Sequence, residues 1–185
     1  MASNSFWKLI EQSRQHGKEQ VEWLTETLAK ASVDEIARFE IEFINKMEQS
    51  YTSAIWGAAY VLLGGCSDDG FDYFRGWLIA QGEDVYNRVL NDPEYLAEYL
   101  SEEVLQENDV YPELEEMLSV ATDAYTYSRT GSFEYDNDMN IAFLDELEAR
   151  GYQFKPKNIE FDWEEDDLEE RYPVLWARFG EEPLG

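Results

Sequence analysis

The 185-residue chain is 44% hydrophobic and 15% aromatic, which is enough apolar content for a folded domain and excludes disorder of the whole chain. Its formal net charge of −27 is uneven, because residues 1–90 hold 14 acids and 8 bases (net −6) and residues 91–185 hold 27 acids and 6 bases (net −21). Such a surface repels phosphate backbones and anionic lipid headgroups, so we expect neither a nucleic-acid nor a membrane partner.

The first part of the chain predicts amphipathic helices. Apolar residues recur at helical spacing from Phe6 and again over residues 18–31. Ser32, followed three residues later by Glu35, forms a capping-box pattern that predicts the start of a longer helix there. Residues 55–63 are apolar on nearly every side, which a helix tolerates only when other elements surround it. We therefore expect this segment to be the central helix.

Beyond it, glycines and prolines divide the chain into short helices. Gly64-Gly65 ends the central helix, and Ser67 or Asp68 caps the next one. Further helices are predicted over residues 68–81, 83–90, 94–106, 113–129 and 141–150, and from about residue 164 with a kink or a second start at Pro173. Residues 151–163 are expected to be irregular. The prediction is an all-α or nearly all-α, compact, irregular or orthogonal bundle that forms a single domain over residues 1–185. Residues 131–185 are expected to pack as an acidic helical extension on a core of about residues 5–130.

The numbers of cysteine and histidine residues and the absence of long apolar runs indicate the cellular compartment. Cys66 is the single cysteine and cannot form an internal disulfide, and His16 is the single histidine, so no recurrent Cys/His spacing indicates a zinc site. The N-terminus shows no basic stretch followed by an apolar run, and the longest apolar stretch, residues 54–63, is about half the length of a membrane span. We expect a cytoplasmic protein.

Two motifs stand close together in the sequence, WGAAY from Trp56 to Tyr60 and GGCSDDGFDYFRGWLIAQG from Gly64 to Gly82. With the opening FWKLI and the Ala124-Tyr125 pair, they resemble domain of unknown function family 4240, over roughly residues 5–130. The later run YPVLWARFG resembles a tail seen on some members. The resemblance implies a mostly helical bacterial protein. It supplies no activity and no catalytic residue, because the family has none assigned.

One cluster combines nucleophilic, acidic and basic side chains within ten residues: Cys66, Asp68, Asp69, Asp72 and Arg75. A helix N-terminus lowers the pKa of a thiol, so Cys66 is a candidate nucleophile, although the adjacent aspartates oppose that effect. The alternative is structural, with a helix cap, acids that complement the helix dipole, and an ion pair between Asp72 and Arg75. No histidine base lies nearby in sequence, and no pattern indicates an enzyme.

Residues 136–140 match the start of a calcium-binding loop, because Asp136, Asp138 and Asn140 hold its first, third and fifth positions. The sixth position holds Ile141 instead of glycine, and the twelfth holds Leu147 instead of glutamate. The segment therefore predicts a turn in which Asn137 or Asp138 caps the next helix. We expect no metal and no cofactor.

The leading functional hypothesis is a non-enzymatic interaction module that binds a basic protein through an acidic face. Its anchor would be an aromatic side chain beside acids, at Trp163, Glu164, Glu165, Asp166 and Asp167. The alternative from another class is a small-ligand-binding domain or hydrolase centred on Cys66 to Arg75. A third idea is mimicry of nucleic acid, which would need carboxylates spaced like phosphates. The sequence leaves the oligomeric state open.

Overall fold

The computed structural model describes residues 2–108, 111–155 and 157–185, with only the backbone described at residues 2–4 and 106–108. The prediction of an all-α fold is confirmed, and these residues contain no strand. No helix among them combines the length and the apolar composition that a membrane span requires. The α-helices are α1 (Ala2–Arg14), α2 (Gln20–Ala29), α3 (Val33–Ser50), α4 (Ser53–Leu63), α5 (Asp68–Ala80), α6 (Glu83–Asn91), α7 (Tyr95–Tyr99), α8 (Glu102–Asn108), α9 (Val120–Thr130), α10 (Asn137–Ala149), α11 (Leu168–Arg171) and α12 (Pro173–Phe179).

The chain forms two compact units, and each is built from two stretches of sequence. The first unit comprises Met1–Lys46 and Glu115–Lys157, and the second comprises Met47–Leu114 and Asn158–Gly185. The expectation of a single domain stays a prediction.

The first unit is built from α1, α2, α9, α10 and most of α3. Its core includes Phe6, whose ring lies 4.9 Å from that of Phe39, and Leu24 of α2, which is fully buried. The predicted capping box at the start of α3 is confirmed. The Ser32 backbone N–H donates to Glu35 Oε2 at 2.9 Å, and the Glu35 N–H donates to Ser32 Oγ at 3.3 Å.

The second unit is organised around α4, as its apolar composition predicts. Eight of the 11 residues of α4 are buried. Residues 158–185 pack along this helix through hydrogen bonds to its carbonyls, at 2.8 Å from Trp163 Nε1 to Ser53 O and 2.7 Å from the Tyr172 hydroxyl to Ala54 O. A Cβ atom added at Gly57 would lie 2.5 Å from Tyr172 Oη, so the close approach requires glycine there.

Three predicted helix boundaries are wrong, each for a local reason. The helix expected over residues 94–106 is divided, because Leu100 leaves the helical conformation and Ser101 Oγ accepts from the backbone of α8. The helix expected over 113–129 begins only at α9, after a short 3-10 helix at Glu115–Leu118. At α10 the cap is Asp136, whose Oδ1 accepts two backbone N–H groups, and not Asn137 or Asp138.

The C-terminal part follows the prediction more closely. Residues 152–155 and 157–164 contain no helix or strand, which agrees with the expected irregular segment. A 3-10 helix at Glu165–Asp167 and α11 come next. Pro173 then occupies the first turn of α12, so it starts a second helix.

Candidate functional site

The loop between α4 and α5 is fixed by its own hydrogen bonds. Gly64 ends α4 in the left-handed conformation with φ 71°. Ser67 caps α5, because its Oγ accepts from the Gly70 N–H at 3.1 Å. Trp56 Nε1 donates to the Cys66 carbonyl at 2.9 Å, which holds the residue before the cap against α4. The sequence had allowed either Ser67 or Asp68 as the cap, and the structure selects Ser67.

Cys66 lies at this loop as a half-buried, free thiol. Burial, and then the negative charge of Glu113, raise the pKa of the Cys66 thiol to about 12. The charge of Arg75 acts in the opposite direction and is outweighed. The net shift is opposite to the one that a helix N-terminus produces in reactive cysteines, so the thiol is protonated at neutral pH.

Arg75 is a buried cation whose donors are engaged inside the second unit. One guanidinium nitrogen, Nη1, donates to the Met47 carbonyl at 2.6 Å, and Nη2 donates to Asp72 Oδ1. The guanidinium also lies 4.8 Å from the Tyr51 ring centroid and 4.7 Å from that of Phe71. Desolvation lowers the pKa of Arg75, and the Asp72 carboxylate opposes that shift. The arrangement attaches α5 to the last turn of α3, and it confirms the Asp72–Arg75 ion pair.

Glu113 and Tyr111 join this cluster, and neither was predicted from the sequence to belong to it. A Cβ atom at Gly70 would lie 3.0 Å from Glu113 Oε1, so the carboxylate lies against the first turn of α5. Burial and then Glu113 raise the pKa of Tyr111. The Leu114 N–H donates a backbone hydrogen bond to the Tyr73 carbonyl at 3.0 Å, which holds the segment around residues 111–114 against α5. No local pattern links residues some 40 positions apart, so only the tertiary fold reveals the contact.

The remaining residues of the predicted cluster have structural surroundings. Asp68 and Asp69 are exposed in the first turn of α5, where carboxylates complement the positive end of the helix dipole. Trp56 and Trp77 are both buried. Trp56 stacks on Phe71 with ring centroids 4.5 Å apart, so its ring is part of the core.

The acidic segment beside Trp163 separates into an inward ring and outward charges. The Trp163 ring is half-buried and meets Tyr60 and Phe161 edge to face, with centroids 5.7 and 5.4 Å away. The Glu164 N–H donates to Asp167 Oδ2 at 3.0 Å, which orders the turn. The side chains of residues 164–167 are all exposed. Trp163 therefore attaches the segment to α4, while its carboxylates point into solvent.

The two units differ sharply in charge. The second unit holds 24 acids and 4 bases, a net −20, whereas the first holds 17 acids and 10 bases, a net −7. The four bases of the second unit are all arginine. In addition to buried Arg75, Arg88 lies 3.8 Å over the Tyr95 ring, Arg171 pairs with Asp162 at 2.6 Å, and Arg178 donates to the Ala97 carbonyl.

Few acids of the second unit are compensated. Ion pairs within the described part of the unit include those of Asp72, Asp84, Glu98 and Asp162. Across the described part of the chain, no group of three or more His, Cys, Asp or Glu side chains is arranged to hold a metal ion.

Comparison with known families identifies the N-terminal two thirds of the chain. The profile of a family described as "Protein of unknown function (DUF4240)" matches residues 1–127, which include both motifs around α4 and α5. No curated protein and no solved structure matches the chain. On the extent of the family match, the chain belongs to the DUF4240 family of proteins of unknown function.

Proposed function

We propose that this protein is an interaction module whose second unit binds a basic protein. The observation that carries the proposal is the uncompensated charge of that unit, with 24 acids against four arginines and no lysine. All four arginines already bond within the unit, so its own cations leave most of the carboxylates without an ion pair.

The chemistry of the surface defines the partner. Exposed carboxylates of one sign accelerate association with a lysine- and arginine-rich surface and disfavour acidic partners. The segment at residues 164–170 presents these groups on an ordered backbone, because Trp163 is fixed to Ser53 and Leu168 is buried. A basic protein segment meeting this surface gains charge-assisted hydrogen bonds without displacing an aromatic side chain from the core.

A ligand site or hydrolase centred on Cys66 and Arg75 has weaker support. The guanidinium of Arg75 donates to Met47 and Asp72, so its donors already have partners within the fold. The protonated thiol of Cys66 is a poor nucleophile, because the thiolate is the reactive form.

The test measures binding of a fluorescently labelled lysine-rich peptide as a function of salt. The acid variant carries E165Q, D166N, E169Q and E170Q, at exposed residues for which no ion pair is found. The control variant carries the same number of neutral replacements in the first unit, at the exposed residues Glu19, Glu22, Glu115 and Glu116.

We expect the acid variant to bind the peptide several-fold more weakly than the control and to show a smaller dependence of affinity on salt. Equal weakening in both variants would show that the peptide responds only to net charge, and it would overturn the assignment to the second unit. A peptide that does not bind the wild-type chain even at low salt would overturn the proposed function itself.

A further inference from the structure

Exposed apolar side chains concentrate in one segment of the first unit. Nine large hydrophobic residues of the described chain are exposed, and five of them lie between residues 127 and 144. Ile141 and Leu144 are each 53% exposed on α10, and Phe133, 46% exposed, stacks on Tyr127 with ring centroids 4.3 Å apart. Large apolar side chains scattered singly are ordinary on a protein surface, but a concentration of them marks an interaction site.

Two large apolar side chains of α10 are buried, and two others are exposed. Phe143 and Leu147 are buried, and Phe143 stacks on Tyr125 of α9 with ring centroids 4.8 Å apart. Ile141 and Leu144, three residues apart, are neighbours on the helix and are exposed. Phe143 and Leu147 thus attach α10 to the core of the first unit, and the exposed pair is not needed to hold the helix in place.

Acids flank this apolar pair along the same helix. Asp138, Asp145 and Glu148 lie three or four residues from Ile141 or Leu144, which places them on the same side of α10. All three are exposed and take part in no ion pair found among the described residues. The nearby arginines are engaged, because Arg129 and Arg150 both pair with Glu146.

From this arrangement we propose a docking site on the outer face of α10, centred on Ile141 and Leu144, for a basic amphipathic helix of a partner protein. Apolar side chains of the partner helix cover the exposed pair, and its lysines or arginines meet the flanking carboxylates. No residue of this site belongs to the acidic surface of the second unit.

Charge decides between a basic partner and a second copy of the chain. In a symmetric dimer the same patch meets itself, so Asp138, Asp145 and Glu148 of one copy would approach the same acids of the other. Like charges brought together at an interface oppose association, and the whole chain carries −27. A basic helix removes this repulsion and is the occupant that the site fits.

The experiment uses two labelled peptides with the same leucine and lysine content. In one peptide the leucines recur at helical spacing on one face, and in the other the same residues are ordered so that no apolar face forms. Binding of both is measured with the wild-type chain, with an I141S/L144S variant, and with V174S as the control. Val174 is 54% exposed and belongs to the second unit.

We expect the amphipathic peptide to bind the wild-type chain and V174S about tenfold more tightly than the reordered peptide, and I141S/L144S to lose this preference. A preference that survives in I141S/L144S, or its absence from the wild-type chain, overturns the docking site. Dimerisation in sedimentation experiments that I141S/L144S abolishes overturns it in favour of a second copy. The reordered peptide has no apolar face, so its binding depends on charge alone. Failure of the wild-type chain to bind it would count against the proposed function and not against the docking site.

Discussion

Glu40 is a partly buried carboxylate of the first unit. It lies on the face of α3 that also carries the buried residues Ile36 and Phe43. Burial raises the pKa of Glu40 from an ordinary 4.5 to about 7. Desolvation alone causes this shift, since no charged partner contributes. The protonated form is therefore favoured in the folded state.

The shift makes stability depend on pH in a direction that can be derived. Below pH 4.5 the side chain is protonated in both states and has no effect. Between pH 4.5 and 7 the unfolded chain loses the proton while the folded chain keeps it, so the free energy of unfolding falls as pH rises. A difference of 2.5 pKa units corresponds to at most about 3 kcal/mol, and contact of the side chain with water reduces that figure. We expect a loss of about 1 to 3 kcal/mol that is complete above pH 7.

Glu40→Gln removes the titration and keeps the shape of the side chain. Urea unfolding of both proteins, followed by circular dichroism from pH 4.5 to 8, gives their difference in free energy of unfolding. This difference should move in favour of Glu40→Gln by about 1 to 3 kcal/mol as pH rises. Glu22→Gln, at an exposed residue of the same unit, controls for the altered net charge. A difference that stays constant with pH, or moves in favour of the wild-type protein, would refute the reasoning.

Three further predictions concern the second unit. Arg75→Met should lower the free energy of unfolding by about 2 to 4 kcal/mol, because Asp72 and the Met47 carbonyl lose their donor. Arg75→Lys should lower it less, because lysine replaces only part of the guanidinium's hydrogen bonding. A loss under about 0.5 kcal/mol for Arg75→Met in urea unfolding would contradict this prediction. Gly57→Ala should cost about 1 to 3 kcal/mol in the same assay, because the new methyl group meets Tyr172, whereas a stabilisation typical of glycine replacement inside a helix would disprove the contact. Cys66 should react with iodoacetamide far more slowly at pH 7 in the folded than in the unfolded chain, and equal rates would show that its pKa is not raised.

Local patterns predicted the helices well because their signals lie within a few residues. The capping box of Ser32 and Glu35 and the glycine that ends α4 were visible in the sequence, and the cap of α5 was limited to Ser67 or Asp68. One error, at α10, arose because several polar residues compete for one role. At α10, Asp136 and the two residues after it are all suitable caps, and the choice depends on which side chain reaches the free N–H groups.

The candidate site was predictable only in part, because its main features join residues that are distant in sequence. The Asp72–Arg75 pair follows from helical spacing, but the bond from Arg75 to Met47 does not. Glu113 reaches α5 only through the fold. The burial that reverses the expected shift of Cys66 is likewise a tertiary property, which a helix N-terminus in the sequence does not reveal.

The charge of the second unit is costly for the fold, and this cost is an argument about function. The unit holds 24 acids and four bases, so most of its carboxylates can have no cationic partner within the unit and mainly repel one another. Salt with a screening length of about 10 Å at 0.1 M weakens that repulsion without abolishing it. A basic partner that neutralises the surface would bind the folded state preferentially and stabilise it. Internal bonding of all four arginines serves the fold, and under the proposed function a basic partner supplies the charges that the unit itself lacks.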